Sequence, residues 1–287
     1  MAKKIYISLH DPTSAGNCSN VKSNVFNILI SKYGNNIITT NIPLGNNCTY
    51  FFLKHEKNTR YLRELKKRNN YIIYEPLDSK WNSSKNIKEY MANMKDYLAF
   101  FDKIVCQSDF MKEEYSKYID PTKLVTIYHE FDSRFKCTNK ITNDILYIGL
   151  ITKQNIPENI WKKYSVNTTY NKYQDFYKRD ISIHIDFITN TNLYYYLHTS
   201  TKLSTALCLG CVFICNRIPI YVELLGKNYE YFINDDLSNI DEVITNAKNT
   251  LNNNSLYSEY IKKYEPVKKQ LSPDKIASRY HKLLNNK

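Results

Sequence analysis

Residues 198–202 read His-Thr-Ser-Thr-Lys and stand where an apolar-periodic helix begins. The first N–H groups of a helix lack intrahelical partners, and its dipole favours negative charge at that end. A helix start therefore attracts anions. Small hydroxyl side chains at Ser200 and Thr201 let a phosphate approach the backbone, and Lys202 adds a full positive charge. The chemistry predicted is the binding of a phosphorylated ligand. The stretch 201–226, TKLSTALCLGCVFICNRIPIYVELLG, supplies the setting: a helix, the single residue Gly210, an apolar strand, and a loop ending in Pro219 and Glu223. An apolar run such as VFIC suits a parallel strand buried on both faces. Ligands of such sheets bind outside the carboxyl ends of the strands. The same stretch also reads as one ordinary αβ unit of a buried sheet.

Other residues able to do chemistry lie near predicted strand ends. Asp11, Asp78 and His129 are the acid–base candidates, although His129 also fits a structural loop histidine. Gly16, one of only six glycines, follows the first predicted strand and would let the backbone approach a ligand; it serves a simple turn equally well. Cys208, Cys211 and Cys215 span a helix end and a buried strand, so they do not readily converge, and no metal is expected.

The elements that must position these residues alternate between strand and helix patterns, which predicts an α/β fold with parallel sheets. Strands are expected at 4–9, 36–40, 50–53, 71–76, 101–108 and 124–128. Helices are expected at 20–33, 59–69, 88–99 and 109–118, the last capped by Ser108. Residues 135–143 are polar and unpatterned and read as a linker. A second series opens with a strand at 144–149, continues through a strand at 180–187 and the 201–226 stretch, and closes with helices from 240, 256 and 273. Two α/β halves, 1–138 and 139–287, would meet across a cleft, a favoured place for ligands.

Composition narrows the classes. Seven cysteines, four of them in apolar runs, predict buried thiols in a reducing compartment rather than a disulfide framework. The start MAKKIYISLHD reads as a first strand and not as a secretory signal. No run approaches the ~18 apolar residues of a membrane span, so a cytoplasmic protein is expected. A net charge of +12 favours anionic partners: nucleotides, nucleic acid or an acidic membrane surface. Neither GxGxxG nor GxxxxGK[ST] occurs, so dehydrogenase and P-loop readings lack their fingerprint.

Several segments, in order, resemble the GT-B glycosyltransferases, in particular the retaining group-4 type. FDKIVCQSDFMK (101–112) resembles that family's aspartate, strand, serine, helix element. KLVTIYHEFDSRF (123–135) resembles the element closing its first domain, ILYIG (145–149) its second-domain opening strand and glycine, and 201–226 its nucleotide-sugar segment. The resemblance implies two Rossmann-like domains facing each other across a cleft. It implies transfer of a sugar from a nucleoside-diphosphate sugar to a hydroxyl of a glycan, lipid or protein-linked acceptor, with no metal and with retention. The donor would be held by Gly16, Gly149, Lys153, Ser200, Thr201, Lys202, Thr205 and Glu223, with an acid or base from Asp11, Asp78 or His129. The last helix would cross back to the first domain. The chain departs from the family in places. The two glutamates often found eight residues apart are here Leu197 and Thr205, and the glycine usual after the position of His129 is Glu130.

Two other functions fit the same fold. A strongly basic chain suits a hydroxylated DNA base as acceptor, although no cluster of base-reading residues accompanies the charge. A nucleotide- or glycan-binding module without turnover fits the missing glutamate pair.

Overall fold

A computed structural model of the chain describes residues 4–8, 18–38, 44–53, 58–77, 84, 86–147, 158–168, 178–188 and 197–285. The chain divides into two compact units. One comprises Met1–Tyr128, Asn192–Thr199 and Pro273–Lys287; the other comprises His129–Thr191 and Ser200–Ser272.

In the first unit six strands run parallel in the order β2-β1-β3-β4-β5-β6. They are β1 (Lys4–Ser8), β2 (Asn36–Ile38), β3 (Thr49–Leu53), β4 (Tyr71–Glu75), β5 (Lys103–Cys106) and β6 (Leu124–Thr126). The helices α1 (Cys18–Tyr33), α2 (Thr59–Lys67), α3 (Ile87–Leu98) and α4 (Asp109–Ser116) connect them. β3 reads TYFFL and is buried throughout, as a central parallel strand covered on both faces must be. Phe52 and Tyr74 pack in a core with Leu62, Leu65, Tyr90, Met94 and Tyr115 from α2, α3 and α4. Phe51 points the other way and meets Phe26 of α1, with ring centroids 5.8 Å apart. Helix starts follow the local sequence: Asn58, Asn86 and Ser108 each accept a backbone N–H through the side chain.

The second unit holds a five-stranded parallel sheet in the order β11-β10-β9-β7-β8. Its elements are β7 (Lys136–Tyr147), α5 (Glu158–Lys163), β8 (Asn167–Thr168), β9 (Lys178–Asp186), α6 (Thr201–Leu209), β10 (Val212–Asn216), α7 (Pro219–Leu225), β11 (Phe232–Ile233), α8 (Ile240–Asn252) and α9 (Asn254–Gln270). The chain closes with α10 (Pro273–Asn285), which belongs to the first unit and packs along α1.

Two expectations are corrected. Residues 136–143 are not a linker but the first part of β7. Its register against β9 shifts twice, between Cys137 and Ile141 and again between Ile141 and Ile145, and most of its side chains there are exposed. Irregular pairing on a solvated surface erases the alternation by which a strand is read. The loop expected to carry Pro219 and Glu223 is the helix α7. Proline suits its first position because the missing N–H would have had no partner there.

The segment 201–226 otherwise folds as its pattern predicts. Gly210 ends α6 in the left-handed region at φ 73°, and a Cβ there would lie 2.8 Å from the Tyr257 hydroxyl. β11 is too short to pair all of β10, and tyrosines complete the ladder. Tyr260 accepts the Phe213 N–H at 3.1 Å, and Tyr229 donates to the Phe213 carbonyl.

Candidate functional site

The carboxyl edge of the second sheet gathers a buried polar cluster around the start of α6. Asp186 is the last residue of β9 and is fully buried. Lys202, in the first turn of α6, reaches back to it with its ammonium 2.7 Å from Asp186 Oδ1. The same ammonium donates to the Tyr147 hydroxyl at 2.6 Å and lies 4.2 Å from the Tyr147 ring centroid, a cation–π contact. Tyr221 of α7 donates to Asp186 Oδ2 at 2.5 Å. Two strand ends thus converge on one lysine, and α7 holds one of them.

The electrostatics follow from burial and pairing. Burial pushes the Lys202 pKa down, but the Asp186 charge, the Tyr147 oxygen and the hydrogen bonds to both outweigh it, so the net direction is upward. Lys202 is therefore held protonated. His184, two residues before Asp186, is fully buried and packs edge-on against Phe213. Burial lowers its pKa to about 3; Asp186 raises it and Lys202 lowers it further. The imidazole is neutral, and neither ring nitrogen has a hydrogen-bond partner among the described residues.

Ser200, at the cap position of α6, does not cap its own helix. Its hydroxyl donates instead to the His129 carbonyl at 2.9 Å and makes no cap bond to the helix. Ser204 donates to the Thr201 carbonyl at 2.9 Å and approaches the Glu130 carbonyl at 3.3 Å. The helix start is thereby tied to the segment at His129 and Glu130. A helix start with a charged lysine in its first turn is an arrangement that attracts anions.

Of the residues singled out in the sequence, Ser200, Thr201, Lys202 and His129 come together here. Thr205 is turned away: its hydroxyl donates to the Thr201 carbonyl of its own helix at 2.7 Å. His129 is fully buried, with Nδ1 3.0 Å from the Glu130 carbonyl and 3.9 Å from a Glu130 carboxylate oxygen. Glu223 is half-buried on α7, two residues beyond Tyr221. Asp11, Asp78, Gly16, Gly149 and Lys153 lie outside the described residues. Among the described residues no group of three or more His, Cys, Asp or Glu side chains could hold a metal.

Sequence reasoning missed Asp186, Tyr147 and Tyr221. The signal for Asp186 was present: a carboxylate ending the run ISIHID, where an otherwise apolar strand meets its ligand-binding edge. The tyrosines, two among 26, carry no such mark.

No family model and no curated relative matches the sequence. Solved structures do match. HepE of Anabaena in complex with UDP-glucose is 9% identical with a TM-score of 0.64, and all of both chains is covered. A glycosyltransferase from Rickettsia africae is 12% identical with a TM-score of 0.63, again over all of both chains. WaaG, a glycosyltransferase involved in lipopolysaccharide biosynthesis, is 8% identical with a TM-score of 0.54 over 99% of this chain and all of its own. Against the GtfA/B complex the match takes in 84% of this chain but only 57% of the other. With two parallel α/β units matched along its whole length to these glycosyltransferases, the chain has the GT-B fold.

Proposed function

We propose that the protein is a glycosyltransferase that moves a sugar from a nucleoside-diphosphate sugar to the hydroxyl of a glycan, lipid or protein-linked acceptor, without a metal and with retention. The observation that carries the reading is Lys202, in the first turn of α6, held by Asp186 and Tyr147 at the carboxyl edge of a parallel sheet. The fold is one in which HepE is solved with UDP-glucose.

The difficult part of such a transfer is the negative charge that develops on the departing diphosphate. Fixed N–H groups and one ammonium, aimed at that charge before the reaction starts, stabilise it with little reorganisation. In this reading Thr201 and Lys202 supply the backbone donors and Lys202 the charge. Ser200 holds the helix start to the His129 segment, and Glu223 binds hydroxyls of the sugar.

The test is a thermal-shift screen against UDP, GDP, CDP, ADP and TDP, run beside Lys202→Ala. A ligand at a hundred times its Kd stabilises the native state by about 2.7 kcal/mol, so the melting temperature rises visibly. A shift with one diphosphate, lost in the variant, is expected. No shift with any of them in a folded sample would sink the reading. Transfer or hydrolysis of the matching sugar nucleotide then separates an enzyme from a binding module, which would bind without turnover.

A further inference from the structure

Lysine is a poor choice for a fixed contact unless something else fixes it. Its ammonium sits on a flexible four-carbon stem and carries three rotatable donors. In this site two of the three donors are spoken for, by Asp186 Oδ1 at 2.7 Å and the Tyr147 hydroxyl at 2.6 Å, while the Tyr147 ring lies 4.2 Å from the nitrogen. The third donor has no partner among the described residues, and the side chain keeps 17% of its surface exposed. Asp186 is fully buried, and Tyr221 holds its other oxygen at 2.5 Å, so the carboxylate cannot swing.

We propose that Asp186 is a positioning residue: with Tyr147 and Tyr221 it fixes Lys202 so that one ammonium N–H is left for an oxygen of the donor diphosphate. The inference rests on the glycosyltransferase reading and deepens it. Asp186 touches neither the sugar nor the phosphate; it acts through Lys202. It has two effects. It orients the ammonium, and it keeps the ammonium charged in a buried place where a lone lysine would tend to lose its proton. Among the described residues the groups that bear on the Lys202 charge are Asp186 and His184 from β9 and Tyr147 from β7, with Tyr221 of α7 acting through Asp186. His184 is neutral, so Asp186 is the counter-charge in this set.

A purely structural aspartate and a positioning one differ in the pH profile of ligand binding. In the wild type Lys202 stays protonated across the ordinary range, so its contribution to diphosphate affinity is flat. Asp186→Asn keeps the shape and the hydrogen-bond acceptor but removes the charge, leaving burial to lower the Lys202 pKa. The charged form is the binding form, so affinity is then lost as pH rises through that lowered value.

The experiment is calorimetric titration of the full chain with the diphosphate identified in the thermal screen, between about pH 6 and pH 10, for wild type, Asp186→Asn, Tyr147→Phe and Lys202→Ala. The expected result is an alkaline limb in Asp186→Asn, steepening toward about tenfold in Kd per pH unit. Tyr147→Phe is expected to shift in the same direction by less, and Lys202→Ala to bind weakly at every pH. A folded Asp186→Asn protein whose profile runs parallel to wild type overturns the proposal and leaves the donor site standing.

Nitrogen-15 NMR of the wild-type Lys202 ammonium covers the case in which Asp186→Asn does not fold. A signal perturbed by the diphosphate and still protonated at about pH 10 is expected. A signal indifferent to bound diphosphate overturns the inference. Absence of binding to the wild type overturns both this inference and the functional reading.

Discussion

His184 shows how a single side chain can set acid sensitivity without touching a ligand. Its ring is fully buried on β9 with neither nitrogen bonded among the described residues, and its pKa is lowered to about 3 by burial. The unfolded chain binds a proton near the ordinary value of about 6.5. A base whose folded pKa is depressed stabilises the fold fully above the unfolded value, and that stability is lost as pH falls. The window therefore runs from about 6.5 down to about 3, with a slope near 1.4 kcal/mol per pH unit. Urea unfolding at a series of pH values should show this slope in the wild type and a flatter one in His184→Phe, which keeps an aromatic ring against Phe213. Equal slopes would mean that the histidine is protonated at no cost. Lys202, paired with Asp186, behaves oppositely. A lysine whose folded pKa is raised contributes stability below its unfolded value and loses it only as pH rises through the folded one, far above neutrality.

At the scale of elements, Gly210 joins α6, which carries Lys202, to β10. Gly210 is held at φ 73°, and Tyr257 donates to its carbonyl at 2.9 Å. Gly210→Ala combines a left-handed backbone with a contact to the Tyr257 oxygen. We expect a loss of about 1–3 kcal/mol in urea unfolding. Because the Tyr257 hydroxyl is the end of a movable side chain, Tyr257→Phe in the same chain should recover only the part due to contact. Full recovery would show that the backbone carries no strain. α4 offers a smaller test. Ser108 Oγ accepts the Met111 N–H at 3.0 Å, and Ser108→Ala should cost about 1 kcal/mol in the same measurement. β7 marks the limit of reading elements from sequence. Its two register shifts and exposed surface leave no period of two, whereas β3 and β10, buried on both faces, are plain in the sequence.

For the molecule as a whole, the first unit is closed by residues far apart in the chain. Glu75 at the end of β4 is fully buried and accepts from Gln107 Nε2 at 2.6 Å and from the Tyr280 hydroxyl of α10 at 2.6 Å. Lys22 of α1, also fully buried, lies 3.3 Å from Glu75 and donates to the Tyr280 hydroxyl at 3.0 Å. A buried ion pair gains little net stability over an apolar pair, but breaking one is costly because the other charge stays inside. Glu75→Gln should therefore destabilise by about 3 kcal/mol, judged by hydrogen exchange. Protection in α1, β4 and α10 should fall together, since one network joins them. Loss confined to β4 would show that the network does not couple these elements.

The amino-acid sequence alone determined the alternation of strands and helices, the αβ segment around Gly210, and the cap at Ser108. These are local: each depends on side-chain period, on backbone preference, or on which groups a helix end leaves unbonded. Tertiary structure alone decided which partners those residues have. Lys202 meets Tyr147 across 55 positions and Asp186 across 16; Glu75 meets Tyr280 across 205. No spacing encodes such pairs, because they arise where parallel strands and returning helices bring distant ends of the chain to one sheet edge. The same closure buried His129. A residue's type announces what chemistry it can do, and the packing around it decides whether that chemistry faces a ligand.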